Sequence, residues 1–158
     1  RDQSAHVKKI ILQEREAGLH TITPYLRFKD RVLELKVEIR NFLITLKEAG
    51  NTIYAYGAPA KGTVMINFCD IDSSIIPLAV EVNKEKIGTH IPGTSIKVED
   101  EFKVTEPDYY FLLSWNFLET FKSNPVYQEG VRKFIVPVPK PYISKASGLN
   151  ELGGEEWS

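Results

Sequence analysis

With 158 residues, 42% of them hydrophobic and 26% charged, the chain is long enough to bury the core of one domain and has the composition of an ordinary soluble globular protein. A net charge of −1 argues against broad, sequence-independent nucleic-acid binding, which needs a basic surplus, and no apolar run reaches the length of a membrane span. The single cysteine, Cys69, excludes a disulfide framework and a cysteine-built zinc site, and it fits a cytoplasmic location.

The chain opens on Arg1 rather than Met and carries no signal peptide, so it reads as a piece of something longer. Residues 4–17 are expected to form a surface helix, with Ser4 as cap, Val7, Ile10 and Ile11 as a narrow apolar stripe, and Gly18 as the stop. A second helix starts at Thr23 as N-cap with Pro24 in the first helical position. Phe28, Val32, Leu35, Ile39, Phe42, Leu46 and Ala49 then recur at alternating spacings of four and three, one continuous apolar seam. Gly50-Asn51 ends it. At 1.5 Å per residue such a helix spans about 39 Å, more than a sheet needs as cover. Its first half therefore packs on the first helix or leans on a neighbouring domain or subunit, which makes a homo-oligomer through this helix an expectation.

Residues 52–56 form the first expected strand, and a helix follows over about 62–68 with Val64, Met65 and Phe68 facing inward. Residues 75–80 are nearly all apolar, as a strand covered on both faces should be. Residues 83–92 read as loop and 94–98 as a short strand. Residues 108–113 give the clearest strand. Ser114 is expected to cap a helix beginning at Trp115, and Asn124-Pro125 to start another ending near Gly130. Residues 133–138 form the last strand, with Pro137 marking a sheet edge or the strand end. The Pro-, Gly- and Glu-rich stretch from 140 to 158 reads as a peripheral tail. This rhythm predicts an α/β fold, a mostly parallel sheet in a Rossmann-like three-layer sandwich over residues 51–139, preceded by a helical lead-in over 1–50. Such sheets bind ligands at the carboxyl ends of their strands. Three loops meet there: residues 57–62, 81–83 and 114–116.

The loop Gly57-Ala58-Pro59-Ala60-Lys61-Gly62 is the main candidate site. Gly57 allows the sharp exit from a strand, and Gly62 allows close packing of the next helix on the sheet. The helix start carries free N–H groups and about half a positive charge. Lys61 in that first turn is mildly unfavourable, by a few tenths to about 1 kcal/mol, and a bound anion reverses that penalty. The structural alternative is a lysine pointing into water. The loop is not a dinucleotide fingerprint, because Pro59 replaces the middle glycine and has no N–H to offer, and its spacing is not that of a P-loop. Glu81, 24 residues after Gly57, stands where a ribose-binding acid would lie, or is a surface acid at a strand end. Asn83 closes the same loop. Trp115 and Asn116 offer a stacking ring and a hydrogen-bonding amide, or a core tryptophan beside a helix cap. His90 is a weak catalytic candidate, a loop imidazole with no orienting acid nearby in sequence. No spacing of His, Asp and Glu suggests a metal site.

Gly57-Ala58-Pro59-Ala60-Lys61-Gly62, Pro92-Gly93-Thr94, Pro107-Asp108-Tyr109, Trp115-Asn116 and Phe134-Ile135-Val136-Pro137-Val138-Pro139 together resemble, in order, the C-terminal domain of bacterial sugar C-methyltransferases, over about residues 4–140. The resemblance implies a three-part enzyme: a zinc-binding N-terminal region, a central domain that binds S-adenosylmethionine, and this Rossmann-like domain. It implies methylation of a carbon of a nucleotide-linked keto sugar, with the methyl donor and the catalytic base upstream, no cofactor in this domain, and a non-catalytic, substrate-holding task for the residues named above. The chain departs from the usual pattern of the family in three places: Glu81-Val82-Asn83-Lys84 where Asp-Arg-Asn-Pro is common, Ser95 where His is frequent, and Ser114 where proline is common. The competing readings are a Rossmann-like domain for a nucleotide cofactor such as NAD or coenzyme A, and a structural module that docks another chain through its long helix.

Overall fold

The computed structural model describes residues 4–123 and 132–145, and the chain divides into two units, Arg1–Leu35 and Lys36–Ser158. The first contains α1 (Ala5–Glu16) and the start of α2 (Thr23–Glu48). Ser4 caps α1 through its hydroxyl, which accepts the Val7 N–H, and none of α1 is buried, as a surface helix requires. α2 starts at Thr23 itself. The Ile22 carbonyl accepts the Leu26 N–H, so Pro24 takes the second helical position rather than the first. Tyr25 donates its hydroxyl to the Leu19 carbonyl. No described residue of this unit is buried, and Phe28 is 70% exposed, so packing on α1 does not cover the first half of the predicted seam.

Burial in α2 begins in the second unit, at Ile39 and Leu43. Leu43 lies deeper than its predicted neighbour Phe42. This half of the helix is tied down by its cations. Lys36 pairs with Asp70 at 2.7 Å, Arg40 donates to the Asp70 carbonyl, and Lys47 donates to the Ser74 carbonyl.

Six strands form one sheet: β1 (Ile53–Tyr56), β2 (Leu78–Glu81), β3 (Lys97–Asp100), β4 (Tyr109–Leu112), β5 (Lys133–Val136) and β6 (Tyr142–Lys145), in the order β3-β2-β1-β4-β5-β6. The first five run parallel and β6 pairs antiparallel with β5. With α3 (Ala60–Phe68) and α4 (Leu118–Ser123) this is the Rossmann-like arrangement expected, and the strand order reverses direction between β1 and β4.

Several boundaries moved. β2 begins at Leu78 because Ile75 and Ile76 are spent in a buried turn closed on the Asp72 carbonyl. β3 covers Lys97–Asp100 rather than 94–98, since Thr94 folds back to the Ile91 carbonyl. The predicted tail supplies β6, so β5 is an interior strand and Pro137 marks its end, not the sheet edge. The expected helix near 124–130 lies outside the described residues.

One face of the sheet is aromatic. Tyr56, Tyr110 and Phe134 pack there with Val80, Leu112 and Leu118, and Tyr56 meets Tyr110, Phe121 and Phe134 edge to face at 5.2–5.3 Å. The link from β3 to β4 holds no helix. It is pinned instead by charge: Arg132 donates to Glu101 and to Glu106, and Tyr56 donates its hydroxyl to Glu101 at 2.9 Å. The strands' alternate residues, Ile53, Ala55, Ala79, Phe111 and Ile135, are all buried too, which makes this a sheet covered on both sides.

Candidate functional site

At the carboxyl end of β1 the chain turns on Gly57, whose φ of +78° suits a residue without a Cβ. Its N–H bonds the Val80 carbonyl at 2.9 Å. A Cβ built on it would sit 3.4 Å from the Ser114 hydroxyl, so the exits of β1 and β4 lie side by side where the strand order reverses. Pro59 is the N-cap of α3 and gives it no side-chain hydrogen bond. The helix therefore starts at Ala60, two residues before the sequence suggested, with first-turn N–H groups that no capping side chain satisfies.

Gly62 is buried against β4: a Cβ there would stand 2.7 Å from the Leu113 Cβ. This seat fixes the helix's inner line as Gly62, Ile66 and Cys69, all buried, with the four-then-three spacing of one helical face. Val64, expected inside, is 69% exposed and Phe68 is exposed as well. The inward assignment fails for these two, while Met65 is half-buried, because the close approach of Gly62 rotates the helix.

Lys61, next to that glycine, extends over β4's exit. Its ammonium lies 4.6 Å from the Trp115 ring centre and 5.7 Å from that of Phe117, within cation–π range. It forms no ion pair among the described residues. Trp115 and Phe117 belong to a 3-10 turn, Trp115–Phe117, that precedes α4. Ser114 is its N-cap by position but makes no side-chain capping bond. Asn116 is exposed, without a side-chain hydrogen bond among the described residues.

Glu81, at the end of β2, reaches the same loop. One of its carboxylate oxygens accepts the Ala58 N–H at 3.1 Å, and the other accepts the N–H groups of Val82 and Asn83 at 2.9 and 3.1 Å. Burial pushes the Glu81 carboxyl up, and the bonds from Asn83, Ala58 and Val82 more than reverse this, leaving it below the ordinary carboxylate range. Lys86 lies 3.7 Å from that carboxylate and donates to the Ala58 carbonyl at 3.0 Å. The Asn83 side chain accepts the Glu85 N–H at 3.0 Å and shapes the turn.

Of the residues named from sequence, the fold thus brings together Gly57, Ala58, Pro59, Ala60, Lys61, Gly62, Glu81, Asn83, Trp115 and Asn116 at the carboxyl edge. His90 is elsewhere. It bridges Lys97 at the amino end of β3. Pro92-Gly93-Thr94 is also away from the edge, but it docks on the far end of α3. Asn67 donates to the carbonyls of Thr63 and Pro92, and Gly93, at φ +81°, leaves room that any Cβ would take from the Asn67 amide. Sequence reasoning missed Lys86, Asn67 and Phe117. Only Phe117 left a signal, a second aromatic residue two places after Trp115. The other two act through loops whose paths the local sequence does not encode.

No described cluster of His, Cys, Asp and Glu has metal-binding geometry, and no described helix is long and apolar enough to cross a membrane. Residues 1–139 match the C-methyltransferase C-terminal domain family. The chain belongs to that family. It is similar to the C-methyltransferase NovU of Streptomyces niveus, with 29% identity over 143 residues, which is 89% of this chain and 34% of that protein. The C-methyltransferase domain thus corresponds to about a third of that relative's length.

Proposed function

We propose that this C-methyltransferase domain holds the substrate, a nucleotide-linked keto sugar, while the S-adenosylmethionine site and the catalytic base belong to an upstream domain of the same polypeptide. The observation that carries the reading is Lys61: an ammonium with no carboxylate partner among the described residues, at a helix start whose N–H groups lack a capping side chain, beside two aromatic faces. A diphosphate fits the lysine and the helix start. A base or sugar ring fits the aromatic faces, and the exposed Asn116 amide, unbonded among the described residues, can hydrogen-bond it. The implied task is positioning: a held sugar converts methyl transfer into a reaction between fixed partners.

The loop does not suit S-adenosylmethionine, NAD or coenzyme A as a tightly held cofactor. Pro59 has no N–H, that of Ala58 is spent on Glu81, and the Glu81 oxygens that would take ribose hydroxyls are already engaged. No catalytic step is assigned to residues of this domain.

Calorimetric titration of the full polypeptide with a panel of nucleoside-diphosphate sugars tests the reading. Lys61→Ala should weaken binding by about 10-fold or more, the equivalent of a lost charge-assisted hydrogen bond. In turnover it should raise KM more than it lowers kcat. Unchanged affinity in Lys61→Ala would remove the basis for the proposal.

A further inference from the structure

Glu81 stands where a ribose-binding acid is expected, yet its bonding faces the protein. Ala58 is held at both of its peptide groups, its N–H by Glu81 and its carbonyl by Lys86. Glu81 is itself held by two N–H groups of its own loop. The side chain of Glu81 is 13% exposed and that of Lys86 is 42% exposed, so the clamp runs from the interior to the surface. Its two charges offset each other beside a loop that would otherwise place a bare carboxylate near an incoming anion.

We infer that Glu81 and Lys86 are positioning residues: they clamp Ala58 so that Pro59, the first turn of α3 and Lys61 are presented in one fixed arrangement, and neither is a ligand of the substrate. The inference rests on the reading of this loop as an anion site. A loop already ordered does not lose that freedom when the ligand arrives. The neighbouring supports act in the same sense. Gly62 is seated on Leu113 and the far end of α3 is tied to Pro92 through Asn67. The Ala58 clamp acts in the middle of the loop, between the Gly57 N–H bond to the Val80 carbonyl and the Gly62 seat.

The test uses the full polypeptide with inorganic pyrophosphate as probe, and compares wild type, Glu81→Gln, Lys86→Met, Lys86→Arg and Lys61→Ala. Two readouts are taken: pyrophosphate affinity by calorimetry, and amide exchange at Ala58 without ligand, by mass spectrometry at residue resolution. Glu81→Gln separates the possibilities by sign. Removing a negative charge next to an anion site should tighten binding if charge alone matters. The clamp predicts the opposite: binding weaker by about fivefold, the equivalent of one lost hydrogen bond, with faster exchange at Ala58. Lys86→Met should weaken binding similarly and Lys86→Arg should restore most of it. Unchanged Ala58 exchange, or tighter pyrophosphate binding, in Glu81→Gln overturns the inference. If Glu81→Gln does not fold, Lys86→Met decides the matter on the same two readouts. Should Lys61→Ala leave affinity unchanged while Ala58 exchange still responds to Glu81→Gln, the clamp stands and the anion-site reading falls.

Discussion

Gly62 and Leu113 share a space that holds one side chain. A Cβ on Gly62 would meet the Leu113 Cβ at 2.7 Å and its Cδ1 at 3.0 Å, and this contact sets both the height and the rotation of α3. Gly62→Ala should therefore destabilise the protein by about 1–3 kcal/mol, the cost of forcing one extra methyl into a packed site. Ala is otherwise the better helix residue by about 1 kcal/mol, so a stability gain in urea unfolding would mean that α3 shifts at no cost.

Lys61 is expected to separate stability from binding. Its cation–π contacts with Trp115 and Phe117 are at the surface, and Phe117 is 52% exposed, where such contacts contribute about 0.5–1 kcal/mol. Lys61→Ala should lower the unfolding free energy measured in urea by no more than that while lowering nucleotide-sugar affinity 10-fold or more. A large stability loss would recast the lysine as part of the scaffold.

Trp115→Ala should weaken nucleotide-sugar binding and Trp115→Phe should recover most of it, because either ring offers a face for stacking at about 1–3 kcal/mol. Competition calorimetry against the wild type reads this directly. Equal loss in both variants would point to the indole N–H instead of the ring face.

The Arg132–Glu101 pair is nearly dry, with side-chain exposures of 11% and 4%. Removing one partner strands a buried charge, so Arg132→Met should cost about 3–5 kcal/mol in urea unfolding. Arg132→Met combined with Glu101→Leu and Tyr56→Phe should recover much of it, since the apolar groups leave neither an ion nor the Tyr56 hydroxyl, which donates to Glu101, to desolvate. A triple variant as weak as the single one would show that Glu106, which also accepts from Arg132, matters more than the buried pair.

High pH should destabilise the fold. Burial pushes the Cys69 thiol up to about 11, with Lys36 opposing and Asp70 adding, and burial pushes the Tyr110 hydroxyl up to about 12. Both groups are neutral when protonated, and the folded state holds these protons more tightly than the unfolded chain. Their contribution is therefore complete below the unfolded values of 9.0 and 10.0 and is lost as pH rises toward 11 and 12. Unfolding midpoints measured from pH 8 to 11 should fall, and Cys69 should resist alkylation at pH 8 until the protein unfolds.

Local sequence was enough wherever a local rule decides. The 26-residue length of α2, its stop at Gly50-Asn51, the turn on Gly57 and the apolar strand cores follow from capping, periodicity and backbone freedom, all properties of near neighbours. The loop after β1, the end of β2 and the turn after β4 meet at one sheet edge for the same reason: strand ends and the loops after them are contiguous in sequence. Tertiary structure decided what those residues do to one another. Glu81 reads as an acid at a ribose position, and only the path of the β2–β3 loop turns it onto Ala58. Lys61 reads as a lysine at a helix start, and only β4's exit sets two rings beneath it. The inner face of α3 was misread because Leu113, 51 positions away in the chain, sets its rotation. In each case the deciding partner is distant in sequence and adjacent in the sheet, and the pairing order of strands is a global outcome that no local pattern encodes.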